Sequence, residues 1–418
     1  MTAGGSKLLV VTVLSALCRL YQAVPHPPWL PTHLQSIDAT GIPGYNTVFQ
    51  GGECDKPWAG PSAINANMTC FSCFRIPSLL RNPSTGSILA FGEARRGCED
   101  IPDTRIGFKI SRDGGWTWSQ LRILAENPDA RSADGVCRNQ PVPVIDNATG
   151  TIFLAFNYDC RQGGALKAMF ITSKDDGDHW SLPQQFQSTS GGTLPQVVIG
   201  LGEGLSIPLN ESTTRLIIPA ETYGPIYSDN HGATWSVAPR IPAGDGHPAG
   251  AGENAIARCT PGACGGRKFA MSLRGVGKGK TAAVYMTFSD DAIHWDPPRQ
   301  LHGLDRYTTY PQRSGLIGVP GGLLLSHGGS AGGLTGKGDG GGMDLFASVD
   351  GMTWKLLRRL WPQGLRGGYS TITPLEVDHQ GGALTYGLLM EFGGILSPWS
   401  QLAFQNFTFS PHDLDGLH

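Results

Sequence analysis

A short motif recurs along the chain at a nearly constant interval, and this period constrains the fold more than any other feature. The segment Ser111-Arg-Asp-Gly-Gly-Trp-Thr-Trp118 returns as Ser173-Lys-Asp-Asp-Gly-Asp-His-Trp180 and as Ser228-Asp-Asn-His-Gly-Ala-Thr-Trp235. Shortened copies run from Ser289 to Trp295 and from Ser348 to Trp354, so that successive motifs begin 62, 55, 61 and 59 residues apart. Each interval accommodates one four-stranded antiparallel sheet with its turns.

The residue types in the motif are those of a tight hairpin turn. Asp or Asn accepts hydrogen bonds from the turn backbone, Gly adopts a positive φ, and Trp packs the turn onto the blade. Strand-like runs precede the motifs, as at Ile106 to Ile110 and Ala168 to Thr172. We therefore interpret the motifs as structural and expect them to lie far from any catalytic chemistry.

The repeats together predict an all-β chain folded as a six-bladed β-propeller. Five motifs plus the terminal segments give about six blades, a number within the usual range for propellers. The segment Tyr45 to Gln50 is expected to close the ring against Gln401 to Phe409, which would remove exposed sheet edges. A β-sandwich with coincidental turn motifs is the alternative.

Composition agrees with an all-β chain and excludes one class of partner. The 418 residues include 59 glycines, 30 prolines and 10 tryptophans, and only 16% are charged, which favours short strands and tight turns over long helices. A formal net charge of −2 gives no broad basic surface for phosphate backbones. We therefore expect no nucleic-acid partner.

The N-terminus resembles a targeting segment. Lys7 precedes the apolar run Leu8 to Leu17, and small residues such as Ala23 follow, so residues 1–23 are predicted to be a signal peptide, with a signal anchor or disordered tail as the alternative. Residues 24–44 are predicted to form a Pro-rich linker, and residues 45–418 are predicted to form the propeller. Four glycosylation sequons support export, as does the even number of cysteines that follows Cys18, although their pairing is left open: Asn67, Asn147, Asn210 and Asn406 carry the sequons.

The tetrapeptide Phe74-Arg75-Ile76-Pro77, followed by several turn motifs, resembles the signature of the sialidase family. The likeness extends from about Tyr45 to the end of the chain and is greatest to the animal sialidases, including the lysosomal type. It implies an exo-α-sialidase that removes terminal sialic acids from glycoproteins, glycolipids or oligosaccharides in the lysosome or outside the cell. No metal and no organic cofactor are expected. A sialylated glycan is the expected substrate.

The resemblance assigns residues that would bind the substrate carboxylate. Arg75 and Arg274 match two substrate arginines, and Arg suits the role because its planar fork pairs with both carboxylate oxygens. Glu391 matches the glutamate that orients Arg75. Without the resemblance, each of these residues would be interpreted as part of an ordinary salt bridge.

Sialidases are an exception among glycosidases because their nucleophile is a tyrosine. A neutral phenol avoids repulsion by the substrate carboxylate and becomes charged only as it attacks. Tyr369 in Gly367-Gly-Tyr-Ser-Thr371 matches this nucleophile, and Glu253 in Gly252-Glu-Asn-Ala255 matches the glutamate that accepts its proton. Taken alone, Tyr369 would be an ordinary packing residue of a β core.

The acid/base requires a carboxyl group on a loop near the leaving oxygen. The candidates are Glu99, Asp100 and Asp103, and the family spacing through the substrate-binding residues Glu93 and Arg95 favours Asp100, with Asp103 second. A charged loop of this kind is otherwise only solvated.

One departure from the family pattern concerns a third substrate arginine, which is expected about thirty residues before the nucleophile. The segment Gly336-Lys-Gly-Asp-Gly-Gly-Gly-Met343 contains no arginine there. Lys337 would supply a point charge without the fork geometry. Arg313 and Arg366 lie elsewhere in the same repeats and are expected to approach only through a rearranged loop. The loss predicts weaker carboxylate binding or a different substrate.

Three other functions are compatible with these motifs: a non-catalytic propeller that binds glycans, a trans-sialidase, and a hydrolase of another 2-keto-3-deoxy sugar acid. The retained Asp100, Glu253 and Tyr369 favour a catalyst over a binding module. Likeness to the lysosomal type also introduces a carboxypeptidase-like partner, which these motifs neither require nor exclude. They do not determine the oligomeric state.

Overall fold

The chain forms six four-stranded antiparallel sheets. The computed structural model describes residues 45–55, 70–98, 103–125, 137–160, 166–275, 283–302, 304, 313–329, 342–360, 366–376, 384–393 and 401–415. The predicted leader over 1–23 and linker over 24–44 lie outside these residues. In the described part of the chain, no helix is long and apolar enough to cross a bilayer.

The sheets are numbered here as blades 1 to 6, each given from its innermost to its outermost strand. Blades 1 to 3 consist of β2 (Cys73–Arg81), β3 (Ile88–Arg95), β4 (Thr104–Ser111) and β5 (Arg122–Leu124); β6 (Arg138–Ile145), β7 (Ile152–Tyr158), β8 (Lys167–Ser173) and β9 (Gln184–Gln185); and β10 (Leu205–Pro208), β11 (Thr214–Ile218), β12 (Ile226–Ser228) and β13 (Ser236–Val237).

Blades 4 to 6 consist of β14 (Asn254–Arg258), β15 (Phe269–Arg274), β16 (Val284–Ser289) and β17 (Arg299–Gln300); β18 (Gly315–Val319), β19 (Gly322–Gly329), β20 (Gly342–Ser348) and β21 (Lys355–Arg359); and β22 (Arg366–Glu376), β23 (Leu384–Gly393), β24 (Gln401–Phe409) and β1 (Tyr45–Phe49). The helical elements of the described residues are two short 3-10 turns at Cys264–Gly266 and Pro411–Leu414.

The innermost strands form a closed circuit around a central channel. Neighbouring members of the series β2, β6, β10, β14, β18 and β22 contact each other, and β22 contacts β2. Residues from all six blades line a cavity in this channel. The six-bladed β-propeller predicted from the repeat period is therefore confirmed.

The ring is closed by pairing the two ends of the described chain within blade 6. Strand β1 runs antiparallel to β24, with Tyr45 opposite Gln405 and Thr47 opposite Ala403. The predicted closure between Tyr45–Gln50 and Gln401–Phe409 is confirmed. Because the N-terminal strand fills the outermost position of the C-terminal blade, the first and last segments hold the ring together through main-chain hydrogen bonds.

The repeated motif forms a turn after the third strand of blades 1 to 5. In blade 1, Asp113 accepts hydrogen bonds from the Thr117 backbone N–H at 2.9 Å and from the Ser111 hydroxyl at 2.8 Å. Gly115 adopts a φ of 93°, and the Trp118 indole donates to its carbonyl at 3.2 Å. These contacts explain why the motif requires an acidic or amide residue, a glycine and a tryptophan.

The motif tryptophans of blades 1 to 3 pack against the preceding blade rather than only onto their own. The ring centroids are 5.3 Å apart for Trp118 and Phe404, 5.8 Å for Trp180 and Phe108, and 5.8 Å for Trp235 and Phe153. Such aromatic pairs add to the free energy gained by burying their area. The motif therefore joins neighbouring blades, which explains why its spacing follows the blade period.

Six of the eight described cysteines form three local disulfides: Cys54–Cys70, Cys137–Cys160 and Cys259–Cys264. The two other described cysteines, Cys73 and Cys98, lie beside each other, and their thiols interact. The sequence left the pairing open; in the structure, each disulfide joins two cysteines that are close in sequence, 16, 23 and 5 residues apart.

The direction of the strands places the turn motifs and the predicted site residues at opposite ends of the channel. First and third strands of a blade run in the same direction, since each pairs antiparallel with the second strand. The motifs follow the ends of third strands, whereas Arg75 and Tyr369 lie near the starts of first strands. The motifs and these two residues are therefore on opposite faces of the ring.

Candidate functional site

The starts of the innermost strands bring most of the predicted residues to one end of the channel. Arg75 lies near the start of β2, Glu253 immediately precedes β14, and Tyr369 lies near the start of β22. Arg274 is the last residue of β15, and Glu391 lies near the end of β23. Because β15 and β23 run antiparallel to the first strands β14 and β22, their ends lie beside the starts of those strands. Residues far apart in sequence therefore meet because each blade contributes the same end of its first or second strand.

Glu391 is a fully buried carboxylate that organises one side of the site. It accepts hydrogen bonds from the Arg75 side chain at 3.2 and 3.4 Å and from the backbone N–H groups of Ile76 at 2.8 Å and Tyr369 at 3.2 Å. A β-bulge after Arg75, with Ile76 at a φ of 54°, directs that N–H group toward the carboxylate. Glu391 thus fixes the Arg75 guanidinium and the Tyr369 backbone together.

Tyr369, Glu253 and Arg274 form a compact triangle. The Tyr369 hydroxyl donates to both Glu253 oxygens, at 2.9 and 2.7 Å. Arg274 Nη1 lies 2.7 Å from each Glu253 oxygen and donates to the Tyr369 hydroxyl at 2.6 Å. Glu253 is positioned to accept the phenol proton, while Arg274 can stabilise the negative charge that develops on the oxygen.

Burial and the charge of Glu253 together keep the Tyr369 phenol protonated when no substrate is bound. Burial, and then the negative charge of Glu253, raise the pKa of Tyr369 well above its usual range. Two guanidinium groups lie near its ring, Arg75 at 5.5 Å and Arg274 at 5.9 Å from the ring centroid. The hydroxyl thus contacts one cation, Arg274, and one carboxylate, Glu253, while a second cation, Arg75, lies near the ring.

Arg75 remains charged despite its position. Burial opposes its charge, but Glu391, Tyr369 and Glu93 outweigh this effect and raise the pKa of Arg75 above its ordinary value. Arg274 and Glu253 keep 21% and 24% of their side chains exposed, so a ligand can reach this pair from solvent.

Glu93 and Arg95 form a buried ion pair at the end of β3, with Arg95 Nε donating to Glu93 at 2.8 Å. The second Glu93 oxygen accepts from the Gln140 backbone N–H at 2.9 Å. Both Glu93 oxygens are thus occupied within the protein. Glu93 in blade 1 is thus hydrogen-bonded to the Gln140 backbone in blade 2, and Arg95 lies beside it.

The sequence analysis missed Gln140 and Glu221, which extend the site into blades 2 and 3. The Gln140 side chain donates to Glu221 at 2.6 Å, and the Glu221 carbonyl accepts from the Gly252 N–H at 3.0 Å, next to Glu253. A signal for Gln140 was present. The segment Cys137-Arg-Asn-Gln-Pro141 repeats the Cys-x-x-x-Pro spacing of Cys73-Phe-Arg-Ile-Pro77, and Ile76 and Gln140 share a positive φ at a bulge.

Of the three acid/base candidates, Asp103 lies among the described residues. Glu99 and Asp100 lie outside the described residues. Asp103, the second choice, forms ion pairs with Arg96 at 2.9 Å and with Arg105 at 3.6 Å. Both carboxylate oxygens of Asp103 are thus paired with arginines within the protein. The geometry therefore does not favour Asp103 over Asp100.

The structure changes the interpretation of one arginine considered for the third carboxylate position. Arg313 needs no rearranged loop to reach the site, because it is already buried against the residues that follow Glu253 and Tyr369. It is 3% exposed and lies beneath them. Lys337 lies outside the described residues, as does the Arg366 side chain.

Comparison with known proteins places this propeller in a family. The BNR repeat-like domain family matches residues 86–363, about two thirds of the chain, and the chain belongs to that family. A sialidase from Micromonospora viridifaciens is 27% identical over 360 residues, covering 77% of this chain and 50% of that protein. Human Sialidase-4 is 29% identical over 203 residues, or 40% of each protein. The matched region thus spans half or less of these relatives.

Solved structures share the fold. The NanB sialidase from Streptococcus pneumoniae superimposes with a TM-score of 0.63 at 16% identity, covering 92% of this chain and 73% of that one. An intramolecular trans-sialidase from Ruminococcus gnavus gives a TM-score of 0.58 at 17% identity, covering 82% of this chain and 96% of that one. At these identities, the likeness establishes the propeller.

Glu221 predicts a distinct pH dependence of stability. Burial, and then the charge of Glu253, raise the pKa of Glu221 from 4.5 to about 8. A carboxyl group whose pKa is raised by folding stabilises the protein below its ordinary pKa, and this contribution is lost as the pH rises toward 8. The unfolding free energy of the wild type should therefore fall between pH 5 and pH 8 because of this carboxyl group. We expect Glu221→Gln to make that fall smaller by roughly 2 kcal/mol, a value that allows for coupling to Glu253.

Urea unfolding at both pH values measures this difference. Glu211→Gln, at an exposed position, is the control and should change neither value. An unchanged pH dependence in Glu221→Gln would show that the carboxyl group is not protonated in the folded protein.

Proposed function

We propose that this chain is an exo-α-sialidase that hydrolyses terminal sialic acids of glycoproteins, glycolipids or oligosaccharides. The triangle of Tyr369, Glu253 and Arg274 carries the proposal, because it combines a phenol nucleophile, a proton acceptor and a cation within hydrogen-bond reach. The curated relatives named as sialidases support the same activity.

The substrate carboxylate would bind between Arg75 and Arg274. These guanidinium groups lie near the ring of Tyr369, so a carboxylate held between them places the adjacent anomeric carbon near the phenol oxygen. Glu391 holds Arg75 in this orientation. The arginines that bind the substrate carboxylate would then also lie beside the phenol that reacts.

The proposed reaction proceeds by two displacements. The Tyr369 oxygen attacks the anomeric carbon as its proton passes to Glu253, and the leaving oxygen takes a proton from the loop carboxyl group, for which Asp100 is the candidate. A water molecule then attacks the anomeric carbon and gives a proton to the ionised Asp100, while the departing Tyr369 oxygen takes back its proton from Glu253, so that all three residues return to their starting states. Two inversions at the anomeric carbon give overall retention.

The phenol hydroxyl should be indispensable for this activity. We expect Tyr369→Phe to lower kcat/KM by at least about a thousandfold, because the nucleophile and its proton are both lost. The measurement is release of a fluorogenic aglycone from a 2-linked sialoside between pH 4 and pH 8. Tyr386→Phe is the matched control, since Tyr386 is a buried tyrosine of blade 6 outside the site.

Three results distinguish the alternatives. Wild-type release that persists in Tyr369→Phe would contradict a tyrosine nucleophile. Wild-type binding of sialosides without release would support a glycan-binding propeller instead. Transfer of the sugar to an added galactoside in preference to water would identify a trans-sialidase, the activity named for the neighbour from Ruminococcus gnavus.

We also propose that the chain enters the secretory pathway and acts in the lysosome or outside the cell. Three disulfides suit an oxidising compartment, and the sequon residues Asn147 and Asn210 are exposed. In eukaryotic cells, we expect the full chain to give a mature protein that begins near residue 24 and is sensitive to N-glycan removal. An intact Met1 in a protein without glycan would contradict this route. A carboxypeptidase-like partner remains part of the lysosomal version of this proposal.

A further inference from the structure

Arg313 is buried at the junction of blades 4, 5 and 6, directly beneath the proposed reaction centre. Its Nε donates to the Asn254 carbonyl at 3.2 Å, and its Nη1 donates to the Ser370 carbonyl at 3.0 Å. Asn254 follows Glu253, and Ser370 follows Tyr369. One guanidinium therefore bridges the backbones that carry the proton acceptor and the nucleophile.

The fold leaves a specific space for this side chain. Gly202, at a φ of +85°, lies so close that an added Cβ would be 1.7 Å from Arg313 Nη2. No side chain larger than hydrogen fits there while Arg313 holds its position. The loop before β10 in blade 3 therefore depends on the same arginine.

The site residues nearest Arg313 are predominantly acidic. Glu253, Tyr369, Glu391 and Glu221 all favour its charged form, although burial lowers the pKa of Arg313 to about 10. Arg75 and Arg274 are the two other cations near Tyr369, at 5.5 and 5.9 Å from its ring centroid.

On the channel side, the cavity beneath the site is also lined by Glu203, Arg81 and Arg258. With a pKa of about 10, Arg313 is a cation at acidic and neutral pH.

We propose that Arg313 is a positioning residue: it holds Glu253 and Tyr369 in register through the Asn254 and Ser370 carbonyls, and its buried positive charge compensates the negative charge of Glu253. This inference rests on the proposed function for its catalytic readout. At 3% exposure, Arg313 is not available to bind a sugar carboxylate. It differs in this respect from Arg75 and Arg274, and it does not replace the missing substrate arginine.

The test compares Arg313→Met, which removes the charge and both donors, with Arg313→Lys, which keeps the charge. Loss of a nearby cation raises the pKa of a carboxylate. We expect Arg313→Met to lower kcat by about tenfold or more with little change in KM, and to move the acid limb of the kcat profile to higher pH by about one unit. Arg313→Lys should retain the wild-type acid limb.

Equal losses of kcat in both variants with an unmoved acid limb would overturn the electrostatic role, because a purely structural defect does not shift a titration. Wild-type kcat and an unchanged pH profile in Arg313→Met would overturn the whole inference.

A second variant keeps the test decisive if Arg313→Met does not fold. Gly202→Ala retains the arginine but displaces it, and should reduce kcat in the same direction. Gly191→Ala is the matched control, because Gly191 also has a positive φ, of 92°, but has no atom within 4 Å of an added Cβ. Equal activity of the two glycine variants would contradict the inference.

Hydrogen exchange separates this inference from the proposed activity. Peptides that cover 254–258 and 366–376 should exchange faster in Arg313→Met, or in Gly202→Ala if Arg313→Met does not fold, and should do so even if the wild type releases no fluorophore. Absence of wild-type release would refute the proposed function and not the bridge. Unchanged exchange in both peptides would refute the bridge.

Discussion

The buried carboxylate of Glu391 is the interaction on which the rest of the site depends. It joins the Arg75 side chain and the Ile76 backbone of blade 1 to the Tyr369 backbone of blade 6. A fully buried charge of this kind is tolerated only when hydrogen bonds and an opposite charge satisfy it. The same two blades contact each other through β2 and β22, and β1 completes blade 6 by pairing with β24, so the geometry of the site depends on closure of the propeller.

The charges of the site form two layers around Tyr369. Arg75 and Arg274 lie beside its ring, where a ligand can approach, and Arg313 lies beneath, bonded to the backbone. The carboxylates Glu253 and Glu391 are distributed between these cations. Burial and the charge of Glu253 raise the pKa of Tyr369 and so favour a protonated phenol at rest, while the cations can stabilise negative charge that develops during a reaction. The described residues thus place two partly exposed cations beside the ring of Tyr369 and one buried cation against the backbone next to Glu253 and Tyr369.

The sequence predicted the fold through a period whose physical cause is now visible. The turn motif recurs at the blade period in blades 1 to 5, and in blades 1 to 3 its tryptophan packs against the preceding blade. Arg75, Glu253 and Tyr369 were identified from short motifs, but their meeting point depends on strand direction around a ring. Gln140, Glu221 and Arg313 were not assigned because their roles arise from contacts between blades, although the Cys-x-x-x-Pro repeat at 73–77 and 137–141 marked Gln140. Asp100 lies outside the described residues, so its role rests on the family resemblance.

The most direct test of the account is identification of the residue that bonds to the sugar. A sialyl fluoride with a second fluorine beside the anomeric carbon slows the second displacement, because that fluorine destabilises the positive charge of the transition state. Mass spectrometry of the quenched, digested protein would locate the trapped sugar. The account predicts a sialyl adduct on Tyr369, within the peptide that spans 366–376. An adduct on the peptide that contains Glu253, or turnover of the probe without any adduct on Tyr369, would contradict it.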